Sequence, residues 1–238
     1  MSGISSKIYK NGIYLHDNFF EFLSENYVLL DYIEGTGTQC INTTYPYNST
    51  NLTYKIEAGW EMTALNTTYQ APYGAYIDES SKCFRIIRAG SNARFWSYCN
   101  NKAGSSTRGV YDVSTIYARY DTVQTSEGVL WNNTDFISHA SLAPNGSNTT
   151  STFFVCSQTI DSCISKIKMY YFRLYDNDEI KIYLIPAKRK SDSVAGMFDL
   201  VSKTFFTSST DTAFVAGNEL DHCSIFQDHT LANSFIEI

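Results

Sequence analysis

From Leu52 to Met62 the chain alternates strictly: Leu52, Tyr54, Ile56, Ala58, Trp60 and Met62 interleave with Thr53, Lys55, Glu57, Gly59 and Glu61. A period of two puts one set on a buried face and the other on a wet one, as an antiparallel strand requires. Shorter runs of the same kind recur at CFRIIR (83–88), TIYARY (115–120), GVLW (128–131) and TFFVCS (152–157), parted by turn-rich stretches such as NNKAGSST and LAPNGSNTTS. Residues 166–188, KIKMYYFRLYDNDEIKIYLIPAK, predict two long strands around Asp176-Asn177-Asp178. Pro186 is expected to end the second, because it has no N–H for the ladder. AGMFDLV and KTFFTSS predict a further short pair.

The front of the chain has a different rhythm. KIYKNGIYLH (7–16) predicts a small hairpin turning at Asn11-Gly12, and Asp17 is placed to cap a short helix over NFFEFLSEN, with Phe19, Phe20 and Leu23 at helical spacing. The change of period from 3.6 in this piece to two in the strands after it sets the two regions apart. Long helical patterns are absent, so the fold class is all-β, with many short strands implying a sandwich or jelly roll.

YIEGTGTQCI (32–41) resembles a phosphate-binding loop only on the surface. Such a loop needs a helix opening after the glycines, and here a β-patterned segment runs on through Pro46. The glycines are therefore expected to turn the chain into the first strand of a sandwich.

Composition narrows the choice of function. The 238 residues are 43% hydrophobic and 18% charged, with a formal net charge of −6, which opposes non-specific nucleic-acid binding. Lys188-Arg189-Lys190 is expected to be a solvated loop. No stretch approaches the roughly 20 apolar residues of a membrane-spanning helix, and the N-terminus carries no secretory-signal pattern. Neither nucleic acid nor membrane insertion is expected. Without a signal, the seven N-x-[ST] sequons at Asn42, Asn48, Asn51, Asn66, Asn132, Asn145 and Asn148 reflect an Asn/Thr-rich composition. The six cysteines show no CxxC pair and are expected to be reduced and mostly buried.

Three segments carry a resemblance. LLDYIEGTGTQCINT (29–43), IKMYYFRLYDNDEIKIYLIPAKRKSD (167–192) and VAGMFDLVSKTFFTSSTDTAFVAG (194–217) resemble the laminin-G-like, concanavalin A-like jelly-roll domains of bacteriophage and gut-bacterial surface proteins. The resemblance implies a jelly-roll sandwich of two antiparallel sheets over residues 29–217. It leaves residues 1–28 as a hairpin and short helix that anchor the domain, and 218–238 as a C-terminal tail. This sequence departs from the pattern at Cys40, where an aromatic is usual, and at Asp178, where a glycine is usual.

Catalysis is not expected. Glu57 and Glu61 share one strand face but stand roughly 13 Å apart along it, too far for a glycosidase pair. His16, His139, His222 and His229 lie in no motif with a nucleophile. Asp176-Asn177-Asp178-Glu179 offers oxygen ligands for calcium, yet reads better as a turn. Carbohydrate binding needs exposed aromatic faces beside amides, and Tyr73, Tyr76, Trp96, Tyr98 and Trp131 are the candidates, with core packing the competing role for each. The expected function is that of a non-enzymatic structural protein on the surface of a bacteriophage particle, a capsid decoration or fibre assembled in the host cytoplasm. It would contact other virion proteins, copies of itself and host or mucosal glycans, with Phe19, Phe20 and Leu23 anchoring it. The alternative is a carbohydrate-binding adhesion module.

Overall fold

The computed structural model describes residues 8–10, 13–15, 17–64, 69–78, 82–88, 94–99, 109–112, 117–139, 150–160 and 164–220, and of residues 8–21 only the backbone. These residues form nineteen strands and one short helix. A front hairpin pairs β1 (Ile8–Lys10) with β2 (Ile13–Leu15), and α1 (Asp17–Asn26) comes next. Asn11 and Gly12, the expected turn, lie outside the described residues.

Two larger antiparallel sheets make up the rest. In chain order the strands are β3 (Tyr27–Leu29), β4 (Ile33–Thr36), β5 (Ile41–Asn48), β6 (Lys55–Met62), β7 (Gln70–Asp78), β8 (Lys82–Arg88), β9 (Arg94–Cys99) and β10 (Gly109–Asp112). Then come β11 (Arg119–Gln124), β12 (Gly128–Trp131), β13 (Asp135–Ser138), β14 (Thr150–Val155), β15 (Lys166–Asp176), β16 (Glu179–Arg189), β17 (Ala195–Asp199), β18 (Phe205–Phe206) and β19 (Val215–Ala216). The smaller sheet runs β10-β9-β8-β7-β14-β5. The larger runs β13-β12-β11-β6-β15-β16-β17-β18, with β3 beside β16 and β4 between β15 and β19.

The two sheets pack face to face as a sandwich. Ile56, Ala58, Trp60 and Met62 of β6 point into one core with Tyr73, Phe84, Phe95 and Phe153 from the smaller sheet. Edge-on ring contacts cross the gap, with Trp60 to Phe95 at 5.0 Å and Tyr73 to Phe172 at 5.9 Å. The alternation seen at 52–62 thus describes the fold correctly: its apolar set is buried and its polar set lies on the outer face.

The long hairpin also forms as expected. Asn177 and Asp178 take φ of 52° and 60°, the left-handed pair of a tight hairpin turn that both residue types tolerate. Pro186 does not end β16, which continues to Arg189. On this side β16 pairs with β15 up to Leu184 and with β3 from Ala187, so Pro186 falls in the gap between two neighbours, and the missing N–H breaks no ladder bond. Pro46 sits in β5, an edge strand. TIYARY is also corrected, since the strand begins only at Arg119 and extends through DTVQ.

YIEGTGTQCI is the corner between the sheets. Gly35 lies within β4 and Gly37 takes φ 105°. Gln39 accepts from the Thr36 and Thr38 amides at 2.8 and 3.2 Å and donates to the Ala213 carbonyl at 2.9 Å. The chain then enters β5 in the other sheet rather than a helix.

A second apolar cluster lies on the outer side of the larger sheet. Leu23, Tyr27 and Leu29 pack there on Tyr183, Ile185, Ala187, Phe198 and Leu200. Leu23 is therefore buried in its own fold rather than offered as an anchor, and the expected boundary at 28/29 falls inside β3, which is hydrogen-bonded to β16. The side chains of Phe19 and Phe20 lie outside the described residues. The 217/218 boundary is likewise crossed, by a Leu30–Glu219 bridge and by the Leu220 amide donating to the Leu29 carbonyl at 2.9 Å. Cys40, Cys83, Cys99 and Cys156 are buried free thiols, while Cys163 and Cys223 lie outside the described residues. Among the described residues no helix is long and apolar enough to cross a membrane.

Candidate functional site

The outer face of the larger sheet, beyond the part covered by α1, carries a lattice of tyrosines and charges. Strand register orders it in rows. Lys168 on β15 stands opposite Glu34 on one side and Glu61 on the other, and Glu61 stands opposite Arg119. The row Glu34–Lys168–Glu61–Arg119 thus alternates in sign across four strands, an arrangement that cross-strand pairing favours. Further along, Arg173 stands between Glu57 and Tyr183.

Between these rows the strand slips. A bulge between Met169 and Tyr171 sets both Tyr170 and Tyr171 on the outer face. Tyr170 Oη donates to Glu61 Oε2 at 2.8 Å, and the Arg119 guanidinium lies 4.4 Å over the Tyr170 ring. Tyr171 lies across Gly59 and hydrogen-bonds Asp121. Arg173 Nη1 donates to Glu57 Oε2 at 3.1 Å and Nη2 to Tyr183 Oη at 2.9 Å. Tyr175 Oη also donates to Glu57 Oε2, at 3.2 Å. The carboxylates of Glu57 and Glu61, expected simply to meet solvent, are thus half-covered and held by partners from β15.

Burial, and then the neighbouring carboxylates, raise the phenols. Burial and Glu61 push Tyr170 up; burial and Asp121 push Tyr171 up, against Arg173; burial and Glu57 push Tyr175 up to about 12. These hydroxyls stay protonated hydrogen-bond donors at any physiological pH.

Where this lattice meets β4 it opens into a cleft of about 550 Å³, lined by Tyr32, Glu34, Glu61, Met62, Thr63, Tyr117 and Lys168. Tyr117 is 54% exposed at its rim. Tyr32 packs edge-on against Tyr170 at 5.8 Å, and Lys168 Nζ lies 4.7 Å over the Tyr32 ring. The cleft offers two aromatic rings, two carboxylates, an ammonium and a hydroxyl within one concavity. That combination orients a polar ligand while giving its apolar face a ring to rest on.

The aromatic candidates named from the sequence divide. Tyr73 is fully buried, its hydroxyl 3.3 Å from Thr122 Oγ1, and Trp131 is 1% exposed and stacks on Tyr111 at 4.5 Å. Both are core residues and cannot present a ring to a sugar. Tyr76, Trp96 and Tyr98 lie together on the outer face of the smaller sheet, where Tyr76 and Tyr98 flank Arg85 at 4.7 and 5.0 Å. Trp96 pairs with the exposed Tyr69 at 6.3 Å.

Tyr32, Tyr117, Tyr170 and Lys168 were not singled out from the sequence. One signal was present: polar positions fall on even numbers at Lys166, Lys168 and Tyr170 and on odd ones at Tyr171, Arg173 and Tyr175. A parity switch at a doubled tyrosine is the mark of a bulge.

The Asp176 turn is a structural clasp. Its carboxylate accepts from Thr53 Oγ1 at 2.6 Å, Asn51 Nδ2 at 2.9 Å and Tyr45 Oη at 3.1 Å. Burial raises its pKa, but these donors outweigh that and hold it below the usual carboxylate range. Among the described residues no three His, Cys, Asp or Glu side chains gather as metal ligands. No family model matches the chain, and no curated protein matches it.

Proposed function

We propose that this chain is a non-enzymatic recognition protein that holds a glycan in the cleft on the open face of its larger sheet. The observation that carries the reading is the convergence of Tyr32 and Tyr117 with Glu34, Glu61, Lys168 and Thr63 in one open cleft. A sugar presents hydroxyls around an edge and C–H groups on a face, and this lining answers both.

The geometry favours binding over hydrolysis. Glu34 and Glu61 are two strands apart, roughly 10 Å between backbones by the usual strand spacing. Lys168 stands between them in the row, where an attacking water or glycosidic oxygen would have to sit. The resemblance of residues 29–43, 167–192 and 194–217 supports placing the sandwich among laminin-G-like, concanavalin A-like jelly rolls, and two antiparallel sheets agree with that. The setting implied by the resemblance is the surface of a bacteriophage particle, where the chain is a structural component displayed toward host or mucosal glycans.

A glycan array probed with the full chain, with and without calcium, tests the reading. Saturable binding to a saccharide set is expected. No binding at high protein concentration in either condition sinks it.

A further inference from the structure

The opposite side of the sandwich holds a buried cation that meets no counter-ion among the described residues. Arg85 lies on β8 between the core residues Phe84 and Ile86, so its side chain emerges on the outer face of the smaller sheet. It is only 8% exposed, close to the 6% of Arg173. The two equally buried arginines differ in what meets them. Arg173 has the Glu57 carboxylate and the Tyr183 hydroxyl, whereas Arg85 donates through Nη1 to the side-chain amide oxygen of Gln158, and its Nε has no acceptor among the described residues. Arg94, Arg119 and Arg189 also pair with carboxylates, and among the described residues Arg85 pairs with none.

A guanidinium does not shed its charge, so it cannot escape burial by neutralising. Stacking between two tyrosine rings returns part of the lost hydration, but less than removal of an ion from water takes away. Gly74 opposite it deepens the case, because a Cβ there would stand 2.5 Å from Arg85 Cβ. The strand leaves out a side chain to admit the arginine.

We infer that Arg85, flanked by Tyr76 and Tyr98, is a binding site for a carboxylate borne on a ligand, of the kind an acidic sugar carries. The two rings come from the neighbouring strands β7 and β9 and cover the faces of the guanidinium, leaving approach in its plane. A planar carboxylate accepts in that plane through two parallel oxygens. A tetrahedral phosphate carries oxygens out of the plane, toward the rings. The site is separate from the Tyr32–Tyr117 cleft and does not depend on it.

Thermal melting of the full chain with glucuronate, glucose or inorganic phosphate tests this, using wild type, Arg85→Met and Arg85→Lys, each checked for folding by circular dichroism. Glucuronate is expected to raise the wild-type midpoint by about 5 °C at a hundredfold excess over its Kd, with no rise from glucose. Arg85→Met abolishes the rise, and Arg85→Lys, which keeps the charge without the planar fork, binds at least about tenfold more weakly. Tyr117→Ala leaves the rise intact, which separates this site from the cleft. No glucuronate response in wild type, an equal response in Arg85→Met, or a response to phosphate alone overturns the assignment.

Discussion

The ring of Tyr171 occupies the space above Gly59: a Cβ added at that glycine would stand 2.6 Å from Tyr171 Cε1 and 2.9 Å from Asp121 Oδ1. Glycine normally weakens a strand, so its presence in the middle of β6 is explained by what lies over it. The bulge in β15 brings Tyr171 to the outer face, and Gly59 lets it lie down there.

Gly59→Ala is accordingly expected to destabilise the chain by about 1–3 kcal/mol, the range for overpacking. Combining it with Tyr171→Ala should make the alanine at 59 neutral or favourable, since only the ring opposes it. Urea denaturation of the two single variants and the double variant measures this. Additive losses would show that the ring is not the obstacle.

Tyr117→Ala and Tyr32→Ala are expected to weaken glycan binding by about tenfold each, or about 1.4 kcal/mol. Tyr117 is exposed, so its loss should leave the melting temperature unchanged, whereas loss of Tyr32 also removes the ring beneath Lys168. Isothermal titration with a saccharide identified on the array, alongside melting curves, separates affinity from stability. Unaltered affinity in both variants would move the ligand elsewhere.

Leu23→Ala is expected to cost about 2–4 kcal/mol, because the side chain belongs to the cluster built on Phe198, Ile185 and Leu200. The helix that carries it covers one end of the larger sheet. Removal of residues 1–28 should therefore expose that cluster and lower solubility rather than yield an intact free domain. A Leu23→Ala midpoint equal to wild type would return α1 to the status of an appendage.

His139 gives the fold a pH dependence. It is buried, with Nε2 2.9 Å from Ser97 Oγ and Nδ1 3.2 Å from the Ser126 carbonyl, and it joins the end of the larger sheet to β9. Burial lowers its pKa against the opposing effect of the Ser126 carbonyl. A histidine depressed in the folded state leaves stability untouched above its unfolded value of about 6.5. As pH falls through that value the unfolded chain gains a proton that the folded one refuses, and stability drops until the folded pKa is reached. Denaturation midpoints at pH 5 and pH 8 should differ in wild type, and the difference should shrink in His139→Gln. An unchanged pH dependence in that variant would exclude His139 as its source.

Local chemistry decided much of this architecture before any packing was known. The strict alternation of 52–62 assigned buried and wet faces correctly, because a strand's period is a property of its backbone. Asn177-Asp178 specified their hairpin because both residue types tolerate the left-handed conformation it needs. The corner at GTGTQ was also readable, since a β-patterned segment, and no helix, comes after the glycines.

Only the tertiary structure decided which aromatics are functional candidates. In RFWSYC both faces of the strand carry aromatic rings, so alternation separates Phe95 from Trp96 without saying which points inward. Tyr73 and Tyr76 lie three residues apart on β7 and therefore end on opposite faces, one in the core and one beside Arg85. Pro186 survives within β16 because its neighbour changes from β15 to β3 at that residue, and the buried place of Leu23 depends on residues more than 150 positions away. The cleft itself joins β4, β6, β15 and the approach to β11. A strand's own sequence sets the side to which each residue points; which strands lie beside it, and hence which side chains meet, is settled when the whole chain packs.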